Sequence, residues 1–116
     1  MKKKPEIFLK HILGSIGDIE KYTKGISREK FSEDTQIQDA AIRKLEIIGE
    51  AVKNLPAALK RKHRNIPWEK IAGTRNILIH EYFGVDLKLV WRIIKKDLPE
   101  LKNNISKILK DEELAS

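Results

Sequence analysis

Apolar residues recur at intervals of three and four along most of the chain, which is the spacing of one face of an α-helix. One such stripe predicts a first helix from about Pro5 to Lys24, which Gly25 terminates. A second stripe predicts a longer helix, capped by Ser32 or Asp34. Its apolar residues are Ile37, Ala41, Leu45, Ile48, Val52 and Leu55. No segment shows the strict alternation of a half-buried strand, so the fold class is predicted to be all-α.

The second half of the chain carries three more helical segments. Pro67 fits the first turn of one of them, and we expect Gly73 to interrupt it. Asp86 is a candidate N-cap for the next, and Pro99 permits a kink before the last. These elements predict an antiparallel bundle of four to five helices.

Composition limits the chemistry that this chain can perform. A length of 116 residues predicts a single helical domain spanning 1–116. The chain contains no cysteine, which excludes a disulfide framework, a thiolate metal site and a cysteine nucleophile. The three histidines, His11, His63 and His80, are not paired at metal-ligand spacing, so we expect no metal and no cofactor.

The N-terminal segment begins with three lysines and a proline after Met1, which is how a signal peptide can start. The apolar stretch that follows is broken by Lys10, His11 and Asp18. A signal core or a membrane span needs an uninterrupted apolar run. We therefore expect a cytoplasmic protein with no membrane segment.

The formal net charge is +7 and the isoelectric point is about 9.6. Such a surface attracts RNA, DNA or an acidic protein. The densest charge lies at the end of a short predicted helix that begins at Pro56, in Lys60, Arg61, Lys62 and Arg64. One interpretation is an edge that contacts RNA phosphates. The other is a solvated helix end, where cations also suit the negative end of the helix dipole.

The segment from Gly73 to Phe83 concentrates polar chemistry around a short apolar run. Asn76 and His80 are four residues apart and share one face of a helix, and Arg75 is adjacent to that face. Tyr82 follows two residues after the histidine. A fixed cation beside a titratable imidazole suits metal-free phosphodiester chemistry, because the histidine transfers protons and the arginine holds the phosphate charge. The alternative is that the apolar run is core and the polar residues form its rim.

With these residues in view, the chain resembles the HEPN superfamily and, within it, the HepT-like toxins. The superfamily motif is an arginine, a polar residue and a histidine after four to six intervening positions, matched by Arg75, Asn76 and His80. The HepT-like branch adds a tyrosine two residues later, matched by Tyr82. Other similar stretches are Asp39-Ala-Ala-Ile-Arg43, Ile48-Gly-Glu-Ala51, Pro67-Trp68 and Val90-Trp91.

The resemblance implies a helical bundle that forms a homodimer, with the motifs of two protomers facing one cleft. It implies a metal-independent endoribonuclease toxin, with Arg75 and His80 catalytic and Asn76 supporting them. It also implies a partner, a minimal nucleotidyltransferase antitoxin that silences the toxin by adding AMP to Tyr82. Two other hypotheses remain: a non-catalytic nucleotide- or substrate-binding subunit of such a nucleotidyltransferase, and a structural dimerisation module.

Overall fold

The computed structural model describes the backbone of residues 5–80 and 86–115 and the side chains of residues 5–74 and 86–112. The described chain is helical and contains no strand, which confirms the all-α prediction. Its elements are α1 (Pro5–Thr23), α2 (Arg28–Glu33), α3 (Thr35–Lys53), α4 (Ala57–Lys62), α5 (Trp68–His80), α6 (Leu87–Arg92), a π-helical segment (Ile93–Asp97) and α7 (Leu98–Ala115). The last three follow one another without a break. They form one long rod that packs against α1 and α2, while α3 packs against both α1 and α5.

Local chemistry sets the ends of the first helices. Gly25 follows α1 with a φ of 72°, a left-handed conformation in which glycine is favoured. Asp34 caps α3, because its Oδ1 accepts a hydrogen bond from the backbone N–H of Ile37 at 3.1 Å. Ser32, the other candidate, lies inside α2 and donates its hydroxyl to the carbonyl of Arg28 at 2.9 Å.

The core is built from the predicted apolar stripes. In α1, Leu9, Ile12, Ile16 and Ile19 are completely buried. They pack with the stripe of α3 and with buried residues of the long rod. Full burial of one such side chain contributes roughly 1.5–3 kcal/mol, so this shared core is the main stabilising term.

Ion pairs on the surface connect the same helices. Asp18 of α1 and Lys44 of α3 lie 3.0 Å apart, and this hydrogen bond raises the pKa of the Lys44 ammonium. Glu20 of α1 and Lys102 of α7 also lie 3.0 Å apart. Exposed pairs of this kind contribute little to stability but agree with the packing of the buried faces.

The long rod widens just before Pro99. The backbone N–H of Leu98 donates to the carbonyl of Ile93, five residues earlier, which is the π-helical pattern. Proline has no N–H to continue the α-helical ladder, and a wide turn beside it is one way to keep the helix unbroken. The chain therefore continues as helix through Pro99, the position at which the sequence permits a kink.

No helix within the described ranges is long and apolar enough to cross a membrane.

Candidate functional site

The Arg–His motif (Arg75, Asn76 and His80) lies in the C-terminal half of α5, and His80 is the last residue of that helix. The prediction that Gly73 interrupts the helix is wrong, because α5 runs unbroken from Trp68 to His80. A single helix therefore fixes the spacing of the motif. Tyr82, the predicted site of modification, lies outside the described residues.

Helical geometry determines how the motif positions relate to one another. Asn76 and His80 are one turn apart on the same side of α5, about 6 Å along the axis. Arg75 is five positions before His80 and adjacent to that side.

Trp68 anchors the other end of α5. Its indole nitrogen donates to the carbonyl of Lys60 at 3.2 Å and to the carbonyl of His63 at 3.0 Å. The ring is buried, and both acceptors lie at the C-terminal end of α4, where they also accept from the backbone N–H groups of His63 and Ile66. These bonds fix where α5 starts, and the helix then carries the motif about 18 Å further along its axis.

A cavity of about 150 Å³ lies between α3, α5 and the long rod. Leu45, Ile48 and Ile71 contribute apolar walls, and Thr74, one residue before Arg75, also lines it. Lys70, Asp97, Glu100 and Asn104 add polar groups. The cavity therefore extends along α5 as far as Thr74, directly before the Arg–His motif.

A separate polar cleft of about 290 Å³ lies between α1 and α3. Arg43 and Glu46 form an ion pair of 3.4 Å within α3 and also line this cleft, together with Phe8 and His11. Charged residues of α3 therefore pair with each other within the helix and also border this cleft. No local pattern in the sequence indicated that Phe8 and His11 of α1 would lie opposite these residues of α3.

The α4 basic cluster (Lys60, Arg61, Lys62 and Arg64) lies at the end of α4 and in the turn that follows. Arg61, Lys62 and Arg64 are exposed, whereas Lys60 is half-buried and donates to the carbonyl of Lys53 at 3.4 Å. Lys62 lies 3.8 Å from Glu112 of α7. This cluster is at the opposite end of α5 from His80.

His63 is a residue whose environment the sequence did not indicate. Its Nε2 is buried and has no hydrogen-bond partner among the described residues, while its backbone carbonyl accepts from Trp68. The buried nitrogen marks His63 as part of the packing between α4 and α5.

Comparison with known proteins identifies the class. The model of the family described as Ribonuclease HepT-like matches residues 12–108, and this chain belongs to that family. The matched range contains the Arg–His motif and every long helix in whole or in large part.

Several curated relatives resemble the chain over nearly its full length. A protein named "Probable ribonuclease HepT" from Thermococcus cleftensis is 46% identical over 95% of this chain and 100% of its own length. "Putative RNase TTE0752" from Caldanaerobacter subterraneus subsp. tengcongensis is 47% identical over 95% of this chain and 98% of its own length.

A longer relative contains the same region as one part of its chain. "Gamma-glutamylcyclotransferase and putative RNase MJ0434" from Methanocaldococcus jannaschii is 50% identical over 96% of this chain, which spans only 50% of that protein. No solved structure matches the chain.

Proposed function

We propose that this protein is a metal-independent endoribonuclease that cleaves RNA with Arg75 and His80. The observation that carries the proposal is their spacing on one unbroken helix, α5, inside the range that matches the Ribonuclease HepT-like family. Relatives that share nearly the whole chain carry names that include ribonuclease, which supports the same activity. The proposed domain is the whole of 1–116.

The chemistry needs no metal, because RNA carries its own nucleophile. His80 takes the proton of the 2′-OH, the 2′-oxygen attacks the adjacent phosphorus, and the bond to the 5′-oxygen breaks. Arg75 stabilises the charge of the pentacoordinate phosphate. In a homodimer, His80 of the other protomer acts as the acid and protonates the departing 5′-oxygen. The products are a 2′,3′-cyclic phosphate and a free 5′-OH.

The other residues of the segment have supporting roles in this scheme. Asn76 orients the imidazole or the phosphate by hydrogen bonding. The α4 basic cluster contributes contacts to RNA phosphates. Tyr82 accepts AMP from a minimal nucleotidyltransferase antitoxin, and the added phosphate competes with RNA for Arg75. In this scheme the unmodified protein is the cytoplasmic toxin of a toxin–antitoxin pair.

The requirement for the 2′-OH gives a direct test. The purified protein is incubated with an RNA and with the same RNA carrying a single 2′-deoxy nucleotide at the observed cleavage site. We expect cleavage of the RNA, cyclic-phosphate ends, and loss of that one cut in the substituted strand. Cutting of the substituted strand at the same position would exclude attack by the 2′-oxygen.

The test also separates the main alternative, a non-catalytic nucleotide- or substrate-binding subunit of the nucleotidyltransferase. Such a subunit would cleave neither strand. It would bind a small nucleotide with little dependence on salt, whereas RNA binding through lysine and arginine weakens steeply as salt rises.

A further inference from the structure

We propose that a second basic surface, on α6 and the π-helical segment, binds the RNA backbone beside the Arg–His motif. This inference rests on the proposed ribonuclease function. The surface, named here the α6 basic stripe, consists of Lys88, Arg92, Lys95 and Lys96, all of them exposed. It carries four positive charges, as many as the α4 basic cluster, but they are spread over nine residues instead of five.

The stripe lies on the solvent side of the long rod. Lys88 and Arg92 are one turn apart on the same side of α6, with a rise of about 6 Å, and Lys95 and Lys96 follow in the π-helical segment. Val90, Ile93 and Ile94 are buried and point into the core. The four cations therefore project away from the core along one continuous face.

These cations are not paired with carboxylates of the described residues. Lys88, Arg92, Lys95 and Lys96 form no ion pair within the part of the chain that the structure describes. Two carboxylates flank the stripe in sequence. Asp86 already accepts from the backbone N–H groups of Lys88 and Leu89 as the N-cap of α6. Asp97, next to Lys96, is half-buried and lines the cavity beside α5. Four cations within nine residues that contain no carboxylate produce a positive field, which favours a polyanion.

One cation of the stripe is held in place. The Nζ of Lys95 lies 4.8 Å from the centre of the Trp91 ring, within the range of a cation–π contact. Trp91 in turn packs against the buried ring of Phe31, with the two centres 5.2 Å apart. An ammonium fixed in this way loses less conformational entropy when it binds a phosphate.

The position of the stripe connects it to the motif. Lys62, before the start of α5, lies 3.8 Å from Glu112 near the far end of the rod. Thr74, close to the motif, shares a cavity with Ile93 and Asp97, near the beginning of the rod. The rod is therefore antiparallel to α5. The α6 basic stripe lies at the His80 end of the molecule, and the α4 basic cluster at the other.

Chain length agrees with this placement. Five residues lie between His80 and Asp86, so their Cα atoms, six steps apart along the chain, are at most about 22 Å from each other. An RNA strand that spans the motif is thus within reach of Lys88 and Arg92. We infer that the stripe holds the phosphates that flank the cleavage site.

The test compares two triple variants that remove equal charge. One carries Lys88→Gln, Arg92→Gln and Lys96→Gln, and leaves Lys95 on Trp91. The matched control carries Lys10→Gln, Lys107→Gln and Lys110→Gln, which are exposed lysines away from the His80 end. The probe is a fluorescent single-stranded 2′-O-methyl RNA, which lacks the 2′-OH nucleophile, so binding is measured whether or not the protein cleaves RNA.

Fluorescence anisotropy over a salt series gives the Kd and its salt dependence. We expect the stripe variant to bind roughly tenfold or more weakly and its slope of log K against log salt to fall by about 2, because each phosphate contact on a single strand contributes about 0.7. The control should keep the slope of the wild type. Circular dichroism checks that both variants fold, and Arg92→Gln alone should reduce the slope by about 0.7.

Three results would overturn the proposal. Equal affinity of the stripe variant and the wild type for the RNA probe would show that the stripe does not bind RNA, and an acidic protein would then be the better candidate ligand. Equal loss in both triple variants would show an effect of net charge alone. No binding of the probe by the wild type would exclude an RNA surface, and the cleavage test with the 2′-deoxy strand would then decide separately whether the ribonuclease proposal stands.

Discussion

The indole nitrogen of Trp68 lies 3.0 Å from the backbone carbonyl oxygen of His63 and donates a hydrogen bond to it. A second bond, to the carbonyl of Lys60, completes a clamp between the end of α4 and the start of α5. Because α5 carries the Arg–His motif at its other end, this clamp determines where the proposed catalytic helix begins.

Replacing Trp68 with Phe should destabilise the protein by about 1–3 kcal/mol, since two part-buried hydrogen bonds to the carbonyl groups of Lys60 and His63 are lost. Urea unfolding followed by circular dichroism measures this change. Trp91→Phe is the control, because the Trp91 indole forms no hydrogen bond among the described residues and the substitution mainly removes ring area. Equal destabilisation by the two variants would show that the Trp68 hydrogen bonds are not important.

The cap at Asp34 should also be measurable. Asp34→Ala removes the acceptor for the Ile37 N–H and should cost about 1 kcal/mol of the free energy of unfolding. Asp39→Ala makes the same charge change at an exposed site in the same helix and should cost about half a kcal/mol or less. A larger loss at Asp39 than at Asp34 would contradict the assignment of the cap.

Two glycines should respond to alanine in opposite directions. At Gly73, inside α5, an added Cβ meets no atom of the described residues within 4 Å, and alanine should stabilise the helix by roughly 0.5–1 kcal/mol while cleavage is retained. At Gly25, where φ is 72°, alanine should destabilise the protein by about 1–2 kcal/mol. Thermal unfolding of both variants tests this pair. Destabilisation by Gly73→Ala would mean that α5 needs glycine conformational freedom beside the motif.

Modification of Tyr82 is the prediction that concerns regulation. Co-expression with a partner nucleotidyltransferase should add the mass of one AMP to the wild type, and peptide mass spectrometry should place it on Tyr82. Tyr82→Phe should remain unmodified and should still cleave RNA in the presence of the partner. An adduct on another residue, or its persistence in Tyr82→Phe, would reject Tyr82 as the acceptor.

Periodicity predicted most of the fold, because the same apolar spacing that forms a helix also buries one of its faces. The stripe of α1 is buried as expected, and Gly25 and Asp34 act through local backbone chemistry that can be recognised in sequence. The prediction that Gly73 interrupts the helix was wrong, since a helix tolerates one glycine when neighbouring packing outweighs the glycine's cost of about 1 kcal/mol.

The contacts between helices could not be predicted from the sequence. The clamp from Trp68 joins residues five and eight positions apart through a loop, and the Phe31–Trp91 contact joins α2 to α6. Neither follows from a local pattern. The α6 basic stripe was missed for a related reason: its charges are spread over nine residues and become a surface only when the rod buries the opposite side.

Cleavage of RNA by the purified wild type, Arg75→Ala and His80→Ala, each with EDTA present, tests the central claim most directly. Mass spectrometry first confirms that each preparation carries no AMP on Tyr82. The account predicts cleavage by the wild type, with cyclic-phosphate ends, and a loss of at least about a hundredfold in each variant, consistent with removal of a proton-transfer group or of a charge-stabilising group. Equal activity in all three proteins, or none in any, would contradict it.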